Sequence, residues 1–257
     1  NLFCNNNINK YVRWYITIGE IMRKGFTLAE VLITLGIIGV VAAITLPTLI
    51  QNYQKHVFVT RLQKAISTTQ NMLKKMQADE EVSSIGMIKL FSEGICKSSF
   101  YSDQSNGCED AYGNPSVFQK NIPKYLNVVK TCSGNNCNSP LYSWSSLSCN
   151  NGKCKISVTK SSGKACGFVS SNAVCSNTNG FYTNDGMIYY FAGLPTINVD
   201  NEIPYISVMV DVNGEKGPNI EGRDWFQFYI GTNGEIVDST YDPFVTRLMS
   251  NGWKMDY

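Results

Sequence analysis

Residues able to do chemistry fall into three widely separated groups along the 257 positions. Cys96, Cys108, Cys132, Cys137, Cys149, Cys154, Cys166 and Cys175 are crowded together amid Ser, Asn and Gly. They include no Cys-x-x-Cys, and the one histidine, His56, stands far upstream. Zinc ligation is therefore the weaker reading and a disulfide framework, formed in an oxidising compartment, the stronger. Neighbours in sequence are the favoured pairs, above all Cys149–Cys154 across Asn150-Asn151-Gly152-Lys153, where Asn-Gly suits a two-residue hairpin turn. The second group is Asp211-Val-Asn213-Gly214-Glu215-Lys216-Gly217-Pro218-Asn219, followed by Asp224. Asp, Asn and Glu alternate there as at the start of a calcium-binding loop, so Asp211, Asn213, Glu215 and Asp224 are candidate calcium ligands. Against this, Lys216 stands where such a loop needs Gly, and Gly222 where it needs its closing Glu. A plain turn about Asn213-Gly214 is the simpler reading, and both stay open. Third is Glu30, a lone carboxylate just inside a long apolar stretch, a costly position that calls for a partner.

Nothing resembles a catalytic constellation. A single histidine leaves no Ser-His or Cys-His pair downstream, and neither a phosphate-cradling glycine loop nor His-Glu-x-x-His is present. The acidic pairs Glu80-Glu81 and Glu109-Asp110 read as solvated faces, so an enzyme is not expected.

These groups need elements to hold them. The chain is 43% apolar and 16% charged, which excludes a disordered chain and supplies a core. A formal charge of +2 excludes a protein that coats nucleic acid. Lys10, Arg13, Arg23 and Lys24 gather ahead of the first apolar run, with Glu20 the only acid among them. The first residue is Asn and the first methionine is Met22. Residues 1–21 show no period and read as an upstream extension, which leaves eight cysteines once Cys4 is set aside.

Val31–Ile50 carries no charge over twenty residues. As a helix it spans about 30 Å, the hydrocarbon thickness of a bilayer. It runs on into an amphipathic stretch, with Phe58, Leu62, Ala65, Ile66, Thr69, Met72, Leu73 and Met76 recurring at three- and four-residue steps. Pro47 removes one backbone hydrogen bond and should loosen the helix, while Gly36, Gly39, Ala42 and Ala43 permit close helix approach. The reading is a leader over 1–25, a long helix over 26–77 (transmembrane over about 26–50), and an exported head over 78–257. The head contains the cysteine-rich region 96–175 and then strands. Strands are expected at Lys155–Thr159, in a Phe181–Phe191 hairpin about Asn184-Asp185-Gly186, and at Ile203–Val212, Trp225–Ile230 and Glu235–Asp238. A final helix at Phe244–Ser250 should end at Asn251-Gly252. Antiparallel strands on the second half of the helix make an α+β head.

Met22-Arg-Lys-Gly25-Phe26-Thr-Leu-Ala-Glu30-Val-Leu-Ile resembles the processing signal of type IV pilins and type II secretion pseudopilins. The resemblance is specific over residues 22–55 and fades by about residue 77. It implies cleavage between Gly25 and Phe26, N-methylation of Phe26, and assembly roles for Glu30 and Pro47. Glu30 stands where the family has its glutamate, and a neighbouring subunit's new amine is its natural partner. The implied partners are the prepilin peptidase/N-methyltransferase, other pilin or pseudopilin subunits and an inner-membrane assembly platform, with no nucleic acid expected. The implied location is the inner membrane in a single pass, head outside, and a filament after assembly. Some pseudopilins carry calcium in the region of Asp211. The resemblance thus implies a structural subunit. A low-abundance minor pilin, gripping a surface, glycan or DNA with Trp144, Trp225 and Trp253, is the alternative. A plain anchored protein that undergoes no processing is a third.

Overall fold

The computed structural model describes residues 25–95, 113–133, 145–150, 153–158, 179–194, 204–217, 220–237 and 244–255. The chain divides into two compact units, Asn1–Tyr53 and Gln54–Tyr257. Helix α1, Leu28–Asp79, is 52 residues long and continues through Pro47. In the first unit its large apolar side chains, from Leu28 to Ile50, are exposed. This helix is long and apolar enough to cross a membrane.

In the second unit, Phe58, Val59, Leu62, Ala65, Ile66, Thr69, Met72, Leu73 and Met76 are buried. They form one stripe because three- and four-residue steps return to the same face of a helix. The stripe packs on a six-stranded antiparallel sheet. Its strands are β1 (Val128–Ser133), β4 (Asn179–Thr183), β5 (Ile188–Leu194), β6 (Tyr205–Asp211), β7 (Trp225–Gly231) and β8 (Ile236–Val237), adjacent in that order. Strands β2 (Ser145–Asn150) and β3 (Lys153–Val158) pair separately as a hairpin. Helices α2 (Lys89–Ser92), α3 (Pro115–Asn121) and α4 (Phe244–Ser250), with short 3-10 helices at Ile85–Met87 and Ile122–Lys124, complete the described elements. The architecture is α+β, with a long N-terminal helix on an antiparallel sheet.

Alternation along the strands sorts the side chains between two faces. Phe181, Tyr189, Phe191, Ile206, Val208, Val210, Phe226, Phe228 and Ile230 share one core with the helix stripe. The register sets Val208 opposite Phe191 and Phe228, and Val210 opposite Tyr189 and Phe226. Ile188, Tyr190, Met209 and Trp225 form a second buried cluster, joined by Tyr182. Trp225 is 1% exposed, which corrects the expectation that it is displayed for ligand binding: as first residue of β7 it faces this cluster. Trp253 is half-buried against the main core, and Trp144 lies outside the described residues.

Candidate functional site

Two places gather the chemistry-bearing residues, one in each unit. At the start of α1, the Thr27 backbone N–H and Oγ1 donate to Glu30 Oε2 at 2.8 and 2.9 Å. In return the Glu30 N–H donates to Thr27 Oγ1 at 3.2 Å. This reciprocal pair is a capping box, in which two otherwise orphaned helix N–H groups gain acceptors. Sequence reasoning sought a partner for Glu30 on a neighbouring subunit and overlooked the one three residues away, although Thr27-Leu-Ala-Glu30 spells the motif. Gly25 and Phe26 precede the helix and are exposed, Phe26 by 87%. Pro47 lies within the exposed apolar stretch.

In the head, the connection from β6 to β7 brings Asp211, Asn213 and Asp224 together. The Asp224 carboxylate accepts the Ile220 N–H at Oδ1 (2.6 Å) and the Asn213 Nδ2 at Oδ2 (3.1 Å). Asn213 Nδ2 also donates to the Gly217 carbonyl at 3.2 Å. The Asn213 N–H donates to Asp211 Oδ1 at 3.2 Å. Asp211 and Asp224 are both 0% exposed. Asp211 Oδ2 and Asn213 Oδ1 are buried and accept no hydrogen bond. Burial first, then the like charge of Asp224, pushes the Asp211 carboxyl up to about 8, against the pull of the Asn213 and Gly214 N–H groups and of Arg61. A buried acceptor without a donor is a costly arrangement, and its usual remedy is a cation or a proton.

The loop is held from both sides. Gly214 has φ +69°, and a Cβ built there would sit 2.5 Å from the Gly186 carbonyl, so the β4–β5 turn and the β6–β7 loop approach through glycine alone. Arg61 of α1 donates from Nη1 to the Val212 carbonyl and from Nη2 to the Asp185 carbonyl (3.3 Å). Lys64, one turn on, pairs with Asp185 at 2.8 Å. Burial works against the charge of Asp185, but hydrogen bonds from Lys64 and Thr183 hold its carboxyl below the usual range.

The structure thus joins three of the four candidate calcium ligands. The fourth, Glu215, is exposed on the same loop, and its charge is felt by Tyr182, whose hydroxyl burial chiefly raises. The turn about Asn213-Gly214 is present, closed by the Asn213 N–H to Asp211 and the Asn213 amide to the Gly217 carbonyl. The donors are hard oxygens, the type that suits calcium, although two carboxylates are fewer than the tightest loops use. Among the described residues, no group of three or more His, Cys, Asp or Glu side chains is placed to hold a metal. Any ion here would draw on neutral oxygens of Asn213 and the Gly217 carbonyl. Arg61, the Ile220 N–H and the Gly217 carbonyl were not found by sequence reasoning, since no local signal marks them.

Of the cysteines, Cys132 in β1 is buried and disulfide-bonded. Strands β2 and β3 set Cys149 opposite Cys154 in register, and the expected turn at Asn151-Gly152 lies outside the described residues. Cys96, Cys108, Cys137, Cys166 and Cys175 lie outside the described residues.

No curated protein and no solved structure matches the chain. A family model described as the prokaryotic N-terminal methylation motif matches residues 22–46. The match begins at Met22 and takes in Gly25, Phe26, the Thr27–Glu30 capping box and the charge-free run as far as Leu46. Residues 22–46 therefore constitute a prepilin-type cleavage and methylation signal, the one borne by type IV pilins and pseudopilins.

Proposed function

We propose that the chain is a prepilin-like subunit, cut between Gly25 and Phe26, methylated on Phe26, and assembled through α1 into a type IV pilus or a type II secretion pseudopilus. One observation carries this reading: a methylation motif leads into a single helix whose large apolar side chains are exposed in its first half, while one face of its second half is buried against a sheet. Apolar surface on that scale needs lipid or other helices around it. In the membrane the first half spans the bilayer, and in a filament it packs on its counterparts from other subunits. The prepilin peptidase supplies the cut, and an inner-membrane platform the assembly. The head lies outside, where its cysteines are oxidised, Cys149 with Cys154.

Cleavage leaves a new cationic amine beside the first turn of α1. Glu30 then meets two suitors, its own Thr27 N–H and an incoming subunit's amine, and the charged one is favoured in lipid. Pairing of this kind sets axial stagger as a polar core residue sets register in a coiled coil. Pro47 lets the helix loosen as it leaves lipid. In the head, Asp211, Asn213 and Asp224 hold a calcium ion between β6 and β7, supported by the two buried oxygens without donors. Bound there, the ion would add positive charge beside the buried carboxylates.

The first test is the intact mass of the protein purified from its native membrane without reductant. A chain beginning at Phe26, one methyl heavier and with all its cysteines oxidised, supports the reading. A chain still beginning at Met22 overturns it. Glu30→Ala should leave cleavage intact and abolish most filament incorporation, and normal incorporation would remove the pairing role.

A further inference from the structure

Along the second half of α1, Lys64, Thr68, Asn71 and Lys75 recur at steps of four, three and four residues, a polar row beside the buried stripe. This row forms one bank of a cavity of about 520 Å³. The size falls within the range of small-molecule sites, about 300–1,000 Å³. The opposite bank is Asn127, just ahead of β1, and the Thr183-Asn184-Asp185 turn between β4 and β5. Met72, Leu126 and Tyr189, all buried, make the floor. The Tyr189 hydroxyl is bonded to Thr68.

The fold uses only part of this lining. Lys64 pairs with Asp185 at 2.8 Å, and the Thr183 hydroxyl donates to the same carboxylate at 2.5 Å. The turn backbone is closed, with the Asn184 N–H on the Asn127 carbonyl at 3.2 Å and the Thr183 N–H on the Met187 carbonyl at 2.9 Å. Asp79, one turn beyond Lys75, takes the Tyr125 hydroxyl. The side-chain amides of Asn71, Asn127 and Asn184 and the Lys75 ammonium make no hydrogen bond or ion pair among the described residues. All four residues are exposed. Asn71 is also a poor helix former, so neither packing nor helix stability accounts for its place inside α1.

An amide offers donors and an acceptor in one plane, and a hydroxyl is both at once, so amides on two banks match a ligand covered in hydroxyls. The apolar floor matches the C–H face of a sugar ring, and a single unpaired ammonium matches one carboxylate. Among the described residues no arginine lines the cavity, and the Asp185 carboxylate on the far bank repels a dianion, which argues against phosphate. We propose that this cavity binds a saccharide bearing one carboxylate, a uronic acid. The three asparagine amides take its hydroxyls, Met72 and Leu126 its ring face, and Lys75 its carboxylate. The site belongs to the folded second unit and does not depend on how the chain is processed or assembled.

The test is saturation-transfer NMR on the full chain in detergent. The probes are the methyl glycosides of glucuronic, galacturonic and mannuronic acid, each beside its neutral hexoside. At least one acid should bind at millimolar concentration and more tightly than its neutral twin. Lys75→Gln should weaken that acid by about fivefold and bring it level with the twin. Asn71→Ala should weaken acid and neutral sugar alike without lowering the melting temperature, because alanine suits a helix better. Lys74→Gln, exposed on α1 but outside the cavity, should bind as the unaltered chain does.

No uptake of any of the three acids at millimolar concentration overturns the proposal. So does stronger binding of inorganic phosphate, which has no use for the amides. Equal weakening by Lys74→Gln would reduce the effect to diffuse charge, and unchanged binding by Lys75→Gln would remove the carboxylate contact; either result sinks the site.

Discussion

The two halves of α1 have one backbone geometry and opposite fates. From Leu28 to Ile50 its large apolar residues are exposed, whereas Phe58, Leu62, Met72, Leu73 and Met76 are buried against the sheet. In the second half polar residues such as Arg61, Lys64 and Gln70 bond to turns of the head, and the Gln70 amide meets the Gly234 carbonyl at 3.2 Å. The first half has no such side, since every position from Val31 to Ile50 lacks a charge. A helix with one apolar stripe can be satisfied by its own chain, and a helix apolar all round cannot. The difference marks where folding of the subunit ends and where lipid or assembly must take over.

The sharpest way to break that comparison is a pair of leucines. Leu62→Ala should cost about 3 kcal/mol of subunit stability, because a fully buried leucine leaves a cavity in the core. Leu35→Ala, at a position 60% exposed, should stay within about 0.5 kcal/mol in the same detergent-solubilised chain. Denaturant midpoints of the two variants decide this, and equal losses would mean that the halves are not distinct.

A pair of glycines comes next. Gly214→Ala should cost about 2 kcal/mol, since φ +69° disfavours a side chain and the Gly186 carbonyl stands 2.5 Å from the new methyl. Gly36→Ala meets nothing within 4 Å and should stabilise the isolated helix by about 0.5 kcal/mol or less. If Gly36 serves close approach between helices, the same change that spares the subunit should lower filament yield.

The smallest effect concerns Asp185, the acid that ties Lys64 to the β4–β5 turn. Its carboxyl is held below the usual range, so its contribution is present above the ordinary carboxylate pKa and is lost as pH falls through the folded value. The unaltered chain and Asp185→Asn should therefore differ in melting temperature near neutrality and converge in strong acid. A difference that stays constant to low pH would show that the ion pair contributes nothing specific.

Much of this was legible in advance. The stripe from Phe58 to Met76 follows from spacing, and the structure adds only Val59 to it. Helix Phe244–Ser250 and the strands near 181–191, 203–212 and 225–230 lie where alternation and turn residues place them. Strand β1 escaped notice because Val128–Ser133 is short and half polar, and its bulge between Val128 and Lys130 breaks the alternation. Helix α3 escaped because seven residues give less than two full periods of a pattern.

The site divides in the same way. Sequence determined the local chemistry: the processing signal before Phe26, the charge-free run, the capping pair Thr27 and Glu30, and the oxygen-bearing turn at Asp211–Asn213. These depend on neighbours within a few positions, where residue type and spacing are enough. Only the tertiary structure decided that Asp224 closes on Asp211, that Trp225 is buried, and that Arg61 stands over the loop from 151 residues away. Those relations come from the pairing of β6 with β7 and from the sheet packing on α1. They are set by a global minimum of buried area and satisfied hydrogen bonds, and no short window of the chain encodes them.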